Sequence, residues 1–454
     1  MEPFLYHVFV CDQVKPEGVP GCAALGSVAV IEMLRKEVAS QGMIDEVQLT
    51  TCGSLGLCEH GPNMVVYPDG IWYCCVSPQD VPEIVRSHFR EGIPVERLMR
   101  SETSALRAEI LANRARREAA MRAREASGAL PEDLLQSIRG FQESRVILSA
   151  IELDIFTGVG SGASAQAIAA GLATDPRATE MLLNALAATG LLTKRDGTFY
   201  NSKTSARYLS SGSPDNAREG LMHTAHLWPR WSTLTGCVRA GTSILERKSD
   251  GHDAEWTRTF IAAMDRNAAE RIPHVVRAIG LEGVRRMLDV GGGSGAYSIA
   301  CARAAKDLQV EIMDLAEVLP ITEKYISAAG MSGRIRTRPG DLCTDALGGG
   351  FDLVLLSAIC HMLDVPQNLD LFKRCHQALA PQGRLVVQDF VLDPDKTSPK
   401  SAALFALNML VGTRAGSSYS AKEYTEWMGE AGFQDMKHVR LPGPTGLIVG
   451  SRSS

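Results

Sequence analysis

What this chain lacks narrows its identity first. No apolar run approaches the roughly 18 residues that a membrane-spanning helix requires. Basic residues are not in excess: 47 Lys and Arg stand against 52 Asp and Glu, a net charge of −5 with a pI near 6.1. A general nucleic-acid binder needs the opposite balance. The opening "MEPFLYHVFVC" has neither a basic start nor a long apolar segment, so no secretory signal is expected and a cytoplasmic location is. Among the eleven cysteines there is no C-x-x-C pair, the close spacing of most zinc sites. Nor is there a C-x-x-x-C-x-x-C run of the kind that leaves one iron open for radical chemistry.

What is present divides into segments. At roughly 100–200 residues per domain, 454 residues suggest about three domains. Residues 1–100 read as a compact α/β unit. "HVFVC", "VQLTTC", "NMVVY" and "IWYCCV" are strand-like, "PDG" is a tight turn, and "ALGSVAVIEMLRKEVASQ" places Val28, Ile31, Leu34 and Val38 on one helical face. Residues 101–130, rich in Ala, Arg and Glu, form a charged, exposed helical linker. Residues 131–215 read as helices followed by a two-strand wing, "GLLTKRDGTFYNS", with Asp196-Gly197 at its tip. That is a winged-helix pattern. Its presumed recognition helix, "PRATEMLLNALAATG", is poor in the side chains that read base edges, so dimerisation is expected rather than DNA binding. Residues 216–454 begin with helices through about 280. They then alternate strand and helix: "RRMLDV", "LQVEIMDL", "RIRTRPGD", "FDLVLLS", "GRLVVQDFV" and "GLIVGS". A mostly parallel, Rossmann-like doubly wound sheet follows.

The first strand of that series runs into "LDVGGGSGAYS". Asp289 precedes Gly291, Gly293 and Gly295, and a helix follows. Glycines there permit a tight turn and let backbone N–H groups approach a ligand. Asp314 ends the next strand, 19 residues after Gly295, where a carboxylate can accept ribose hydroxyls. The spacing is G-x-G-x-G and not the dinucleotide G-x-G-x-x-G. An acid at 289 would repel a pyrophosphate but suit an ammonium, so S-adenosylmethionine fits better than NAD. Asp341, in "RPGDLC" after the third strand, can accept from an adenine amino group.

With these motifs in order and spacing, residues from about 131 to the end resemble the O-methyltransferases of the plant caffeate and bacterial hydroxyneurosporene type. "LDVGGGSG", "DL" at Asp314 and Leu315, "GD" at Asp341 followed by Leu342, and "APQGRLVVQDFVLD" carry the resemblance. It implies a dimeric S-adenosylmethionine-dependent enzyme acting on a small molecule. A histidine after the fourth strand would take the acceptor's hydroxyl proton, here His361 in "LLSAICHMLDV". A histidine of ordinary pKa ~6.5 is a workable base toward a phenol of pKa ~10 as its oxygen bonds to carbon. The family's "FxxAM" is present as "FIAAM", so Phe260 and Met264 are expected at the acceptor pocket, with Trp228 and Asn408 as further lining. Phe405 and Met409 suit an apolar, aromatic or isoprenoid acceptor, and serve equally as core. Plant members follow the histidine with an acidic and an aromatic residue, where this chain has Met362 and Leu363. His223 and His226 lack an acidic partner for a metal.

Six of the eleven cysteines lie in the first 75 residues. Clustered cysteines in a cytosolic chain point to metal or redox chemistry. Residues 5–100 resemble the thioredoxin-like 2Fe–2S ferredoxins through "HVFVC", "GC" at Cys22, "CEHGPNMVVYPDGIWY" and "VPEIVRSHFREGIPVERL". The resemblance implies Cys11, Cys22, Cys52 and Cys58 as cluster ligands. Five residues separate Cys52 from Cys58, where three are usual, and Cys74 or Cys75 is an alternative to Cys52. A zinc site and a cluster-free thiol module are the other readings. Such a centre has no part in methyl displacement; sensing redox state, docking a redox partner protein, and binding or reducing an acceptor all stand open. The competing function is an electron-transfer or redox-regulatory protein whose methyltransferase half only binds a ligand.

Overall fold

A computed structural model describes residues 3–15, 21–100, 102–245, 254–443 and 445–453. Contacts divide the chain into two compact units, Met1–Ile138 and Arg139–Ser454.

In the first unit, β1 (Tyr6–Cys11) and β2 (Val47–Cys52) pair in parallel. A parallel pair needs a crossover, and α1 (Ser27–Ser40) supplies it. β3 (Met64–Tyr67) and β4 (Ile71–Tyr73) form a hairpin, with β3 antiparallel to β1, giving the order β2-β1-β3-β4. α1 buries Val30, Ile31, Leu34 and Val38. Val28, expected on that stripe, is 55% exposed. At 3.6 residues per turn it falls off the line that Val30 occupies. The helix α2 (Val81–Glu83) continues as a π-helix over Ile84–Arg90, and Ile84, Val85 and Phe89 close the core. α3 (Thr103–Ala126) takes up most of the expected linker, whose Ser101 lies outside the described residues. It is exposed along most of its length, but Leu106 and Ile110 pack with Leu57, Trp72 and Cys74.

α4 (Glu132–Glu152) begins in the first unit and ends in the second, where α5 (Ile155–Val159), α6 (Ala165–Leu172) and α7 (Pro176–Ala188) precede the hairpin of β6 (Leu192–Arg195) and β7 (Thr198–Asn201). The hairpin tip has φ of 48° at Asp196 and 77° at Gly197, the doubly left-handed turn that suits two-residue hairpins. A short β5 (Ala163–Ser164), not read from the sequence, adds a third strand. Lys194 of the hairpin bonds Glu180 and Asn184 of α7, so polar groups of the presumed recognition helix face the wing.

Five further helices lead to the main sheet: α8 (Lys203–Tyr208), α9 (Arg218–Trp231), α10 (Leu234–Ala240), α11 (Ala254–Ala269) and α12 (Ile272–Ile279). The helical reading of this stretch also took in 246–253, which lie outside the described residues. Seven strands then form one sheet: β8 (Arg286–Val290), β9 (Gln309–Asp314), β10 (Ile335–Pro339), β11 (Phe351–Ser357), β12 (Leu379–Asp389), β15 (Gln434–Arg440) and β16 (Gly446–Ser451). Their order is β10-β9-β8-β11-β12-β16-β15. The first five run parallel, β16 alone runs against them, and β15, antiparallel to β16, runs in their direction again. β15 was missed by apolar patterning because it is an edge strand whose residues are mostly exposed and polar. Between the sheet strands lie α13 (Ala296–Ala304), α14 (Leu319–Ala328), α15 (Val365–Ala378), α16 (Lys400–Gly412) and α17 (Ala421–Glu430), with a two-residue parallel pair of β13 (Val391–Leu392) and β14 (Tyr419–Ser420). Strand order reverses between β8 and β11, which opens a crevice at their C-terminal ends.

Candidate functional site

The glycine turn sits at that crevice. Gly291 has φ of 71°, and a side chain there would run into Ile359. A Cβ on Gly295 would come within 2.9 Å of Ile312. Bare backbone is therefore presented toward the crevice. The Gly293 N–H donates to Asp314 Oδ2 at 2.8 Å, and Leu315 N–H donates to Asp314 Oδ1 at 2.8 Å. Burial pushes the Asp314 carboxyl up. Asp289 lies at the base of the turn, 2% exposed, with Oδ2 accepting from the Ser298 hydroxyl at 2.6 Å. Its Oδ1 has no partner among the described residues, and burial pushes the group up to about 7. Asp341 stands exposed just past the end of β10, its Oδ1 accepting the Cys343 N–H at 2.8 Å. Leu342 lies 3.8 Å from where a Gly291 Cβ would be. The residues expected to hold the cofactor thus gather at the ends of three adjacent strands.

His361 lies in a 3-10 turn just after β11, 6% exposed. Its Nδ1 is 2.6 Å from Asp389 Oδ1, and its backbone N–H donates to Oδ2 at 3.1 Å. A carboxylate only accepts, so Nδ1 carries the hydrogen and Nε2 is left with a lone pair. Asp389 ends β12, the strand beside β11, and is 1% exposed. The Phe390 N–H also donates to its Oδ1 at 2.8 Å. Asp389 was not singled out in the sequence, although it stands in the quoted "VVQDFV". Its signal is an acid at the end of an otherwise apolar strand.

Phe405 of α16 meets the His361 ring edge-on at 4.8 Å and stacks on Phe390 at 3.8 Å. α11 lies against the glycine turn, with Ile261 3.5 Å from where a Gly293 Cβ would be. On the same helix Phe260 stacks on Trp256 at 5.1 Å and meets His223 at 5.2 Å, and Met264 follows one turn later, half-buried. Asn408 Oδ1 accepts the indole N–H of Trp231 at 3.0 Å, while Trp228 sits under the Arg145 guanidinium at 5.6 Å. Of the two tryptophans, then, Trp231 reaches the α16 residue and Trp228 packs against α4. A cleft of about 520 Å³ opens between α9, α11 and α12, with His223 and Arg271 in its wall, within the range of small-molecule pockets. Burial holds His223 down at about 4, so its ring is neutral.

In the first unit the sulfurs of Cys11, Cys22 and Cys58 all lie within 4.8 Å of one another, and all three residues are buried. Cys52, opposite Cys11 in the β1–β2 register, is half-buried and packs against them. The close approach of Cys22 and Cys11 holds the Cys11 thiol below its ordinary value and pushes Cys22 above it, while burial takes Cys52 up to about 11. The Asn63 amide donates to Cys22 Sγ at 3.4 Å, and the Ser54 hydroxyl lies 3.1 Å from Cys58 Sγ. A Cβ at Gly61 would sit 2.7 Å from Cys22 Sγ, so glycine keeps this wall clear. Cys74 packs elsewhere, with Leu57 and Leu106, and Cys75 is exposed.

Comparison with known proteins identifies the larger unit. The sequence profile of an O-methyltransferase domain matches residues 239–434, and that of an O-methyltransferase dimerisation domain matches residues 135–211. The chain is 35% identical over 331 residues to 3-hydroxy-5-methyl-1-naphthoate 3-O-methyltransferase of Streptomyces sahachiroi, spanning 71% of this chain and 96% of that one. The chain belongs to the O-methyltransferase family. It is therefore a methyltransferase, and its dimerisation domain supports a homodimer. It is also 30% identical to acetylserotonin O-methyltransferase of Gallus gallus, over 69% of this chain and 94% of that enzyme. The solved structure of PigF with SAH, 29% identical, superposes with a TM-score of 0.67 over 71% of this chain and 100% of that one. PigF of Serratia is an S-adenosyl-L-methionine-dependent methyl transferase. Among the described residues, no helix is long and apolar enough to cross a membrane.

Proposed function

We propose that this O-methyltransferase moves a methyl group from S-adenosylmethionine to a hydroxyl of an apolar, aromatic small molecule, with His361 as the general base. The observation that carries this reading is the His361–Asp389 pair, a buried imidazole whose Nε2 is free to accept a proton. S-adenosylmethionine, when bound, supplies the methyl group already activated on its sulfonium. The chain has only to align the reactants and take the hydroxyl proton. Gly291, Gly293 and Gly295 give backbone access. Asp314 with Leu315, and Asp341 with Leu342, are assigned to the ribose and adenine. The orphaned Oδ1 of Asp289 is assigned to the ammonium side. The aromatic rings of Phe390 and Phe405 flank the base, and Phe260, Met264, Asn408 and Trp228 are assigned to the acceptor side. The names of the relatives, a hydroxynaphthoate and an acetylserotonin enzyme, support an aromatic hydroxyl acceptor. The test is methyl transfer to a panel of phenols and naphthols by the native enzyme and by His361→Ala. Activity that survives the substitution almost intact removes the base from this reading.

The domain assignment follows the same plan: residues 1–100 a thioredoxin-like ferredoxin domain, 101–130 a helical linker, 131–215 a winged-helix dimerisation domain and 216–454 the methyltransferase domain. The mixed sheet order β2-β1-β3-β4 and the three converging sulfurs support a 2Fe–2S centre held by Cys11, Cys22, Cys58 and Cys52. When bound, such a centre supplies one-electron redox chemistry. The positions of Cys74 and Cys75 favour Cys52 as the fourth ligand. Anaerobic purification with iron and sulfide assays tests this. About two of each per chain, bleached by dithionite, supports the centre. A colourless, iron-free protein leaves a thiol module. The purely redox-regulatory alternative is disfavoured by family membership and by the intact base pair.

A further inference from the structure

The carboxylate that holds His361 has four donors on it. Three come from the turns at the ends of β11 and β12: the His361 ring, the His361 backbone and the Phe390 backbone. The fourth is a side chain from a different element. Tyr424 of α17 directs its hydroxyl at Asp389 Oδ2, 3.3 Å away. It is fully buried, among the largest wholly enclosed side chains of the protein. Tyr419 and Trp427 clamp its ring edge-on, at 5.9 and 5.7 Å. An enclosed phenol with one carboxylate in reach has one useful orientation. Burial and the neighbouring Asp389 push its ionisation well above the ordinary phenol value, so it stays a donor.

We propose that Tyr424 is a positioning residue for methyl transfer, acting through Asp389 to fix the orientation and proton affinity of His361. The proposal rests on His361 being the base. Oδ2 bridges the Tyr424 hydroxyl and the His361 backbone N–H, while Oδ1 takes the ring N–H. Without the hydroxyl, Oδ2 keeps one donor of its two, and the carboxylate is free to rotate about its last bond. Its unshared charge then falls more heavily on the imidazole hydrogen. The imidazole holds a proton more tightly, and less of it is in the basic form at a given acidic pH. The other groups facing this pocket do not substitute for the hydroxyl. Cys360 is buried beside Asp389, and burial raises its thiol well above its ordinary value. The Tyr419 hydroxyl donates to the Leu363 carbonyl at 2.6 Å. Asp364 and Glu423 act on Tyr419, and Arg271 stands over the outer Phe390 ring at 5.9 Å.

The neighbouring Tyr419 provides a matched control, since it loses the same atom from the same aromatic cluster without touching Asp389. Tyr424→Phe and Tyr419→Phe are compared in the full-length enzyme for kcat, for KM of S-adenosylmethionine and for the pH dependence of kcat. The expected result for Tyr424→Phe is a kcat roughly three- to tenfold lower near neutral pH, as befits loss of a single supporting hydrogen bond. Its KM for the cofactor stays unchanged, and the acid limb of its profile moves to higher pH. Tyr419→Phe keeps the native limb. Equal profiles for the two variants, or a loss in Tyr424→Phe with no shift of its acid limb, would overturn the proposal and leave the hydroxyl a packing feature. His361→Ala, run alongside, separates the two ideas. If it remains active, the base assignment fails. If it is inactive while Tyr424→Phe is native-like, only the positioning role fails.

Discussion

The cysteine pocket and the His361 pocket are built on opposite principles. The first gathers like groups from the ends of β1 and β2 and from the loops beyond, with Cys11, Cys22 and Cys58 converging and Cys52 alongside. Its chemistry is written in residue type, and the loops only have to be long enough to close. The second joins unlike groups, a histidine after β11 and an aspartate at the end of β12, 28 positions apart in sequence and 2.6 Å apart in space. Here residue type says little and strand adjacency says nearly everything. Repeated side chains of one chemistry can be recognised before folding, whereas a pair of different residues is recognised only once the sheet order is known.

Five substitutions probe that contrast, and the greatest effect is expected at the unlike pair. His361→Ala removes the proposed base and lowers kcat by about a thousandfold, within the usual range for general bases, as read by initial rates with a phenolic acceptor. Asp389→Asn keeps the shape but can present the wrong hydrogen-bonding face to Nδ1, and a fall of about a hundredfold is expected in the same assay. In the cysteine pocket, Cys22→Ser takes the sulfur that Asn63 bonds and that lies beside those of Cys11 and Cys58. Iron per chain, the measure of the proposed 2Fe–2S centre, should fall to near zero while S-adenosylmethionine affinity, measured by calorimetry, stays within about twofold.

A smaller effect concerns Asp289. Burial holds it up at about 7 against an ordinary 3.8. Between those values the folded chain keeps a proton that the unfolded chain has released, so stability is lost as pH rises through 7. Full burial makes that cost on the order of 4 kcal/mol before any ligand is bound. Asp289→Asn should therefore raise the melting midpoint of the cofactor-free protein more at pH 8 than at pH 5. The smallest effect is assigned to Asn113, whose amide donates to the Gly56 carbonyl at 2.8 Å and ties α3 to the cysteine loop. Asn113→Ala should cost about 1 kcal/mol, seen as faster hydrogen exchange in α3 with little change in the rest of the first unit.

Much of the architecture was legible because it rests on local pattern. The β8 strand, the glycine turn and the α13 helix follow from apolar runs and from positions that only glycine tolerates. The stretch Tyr6–Cys11 and the "PDG" hairpin were equally plain. The failures have separate causes. Val28 falls outside the buried stripe because it stands about 200° round the helix from Val30, on the far side from the line through Val30, Ile31, Leu34 and Val38. β15 escaped because an exposed edge strand need not be apolar. The linker was read as solvated, yet Leu106, Ile110 and Asn113 face the first unit, since three inward residues scarcely alter the composition of a 24-residue helix.

By itself, the sequence determined which chemistry was available: clustered thiols, a glycine turn flanked by acids, and one histidine after the fourth strand of the sheet. Those features depend on residue identity and short spacing, which the linear chain carries in full. Only the tertiary structure decided which groups act together. It placed Asp389 and Tyr424 behind His361, set Trp231 rather than Trp228 on Asn408, and drew Cys22 to Cys11 and Cys58 while leaving Cys75 at the surface. The physical reason is that hydrogen bonds and thiolate contacts act over about 3–4 Å, and contacts that short between distant residues exist only after strand order and packing have been fixed.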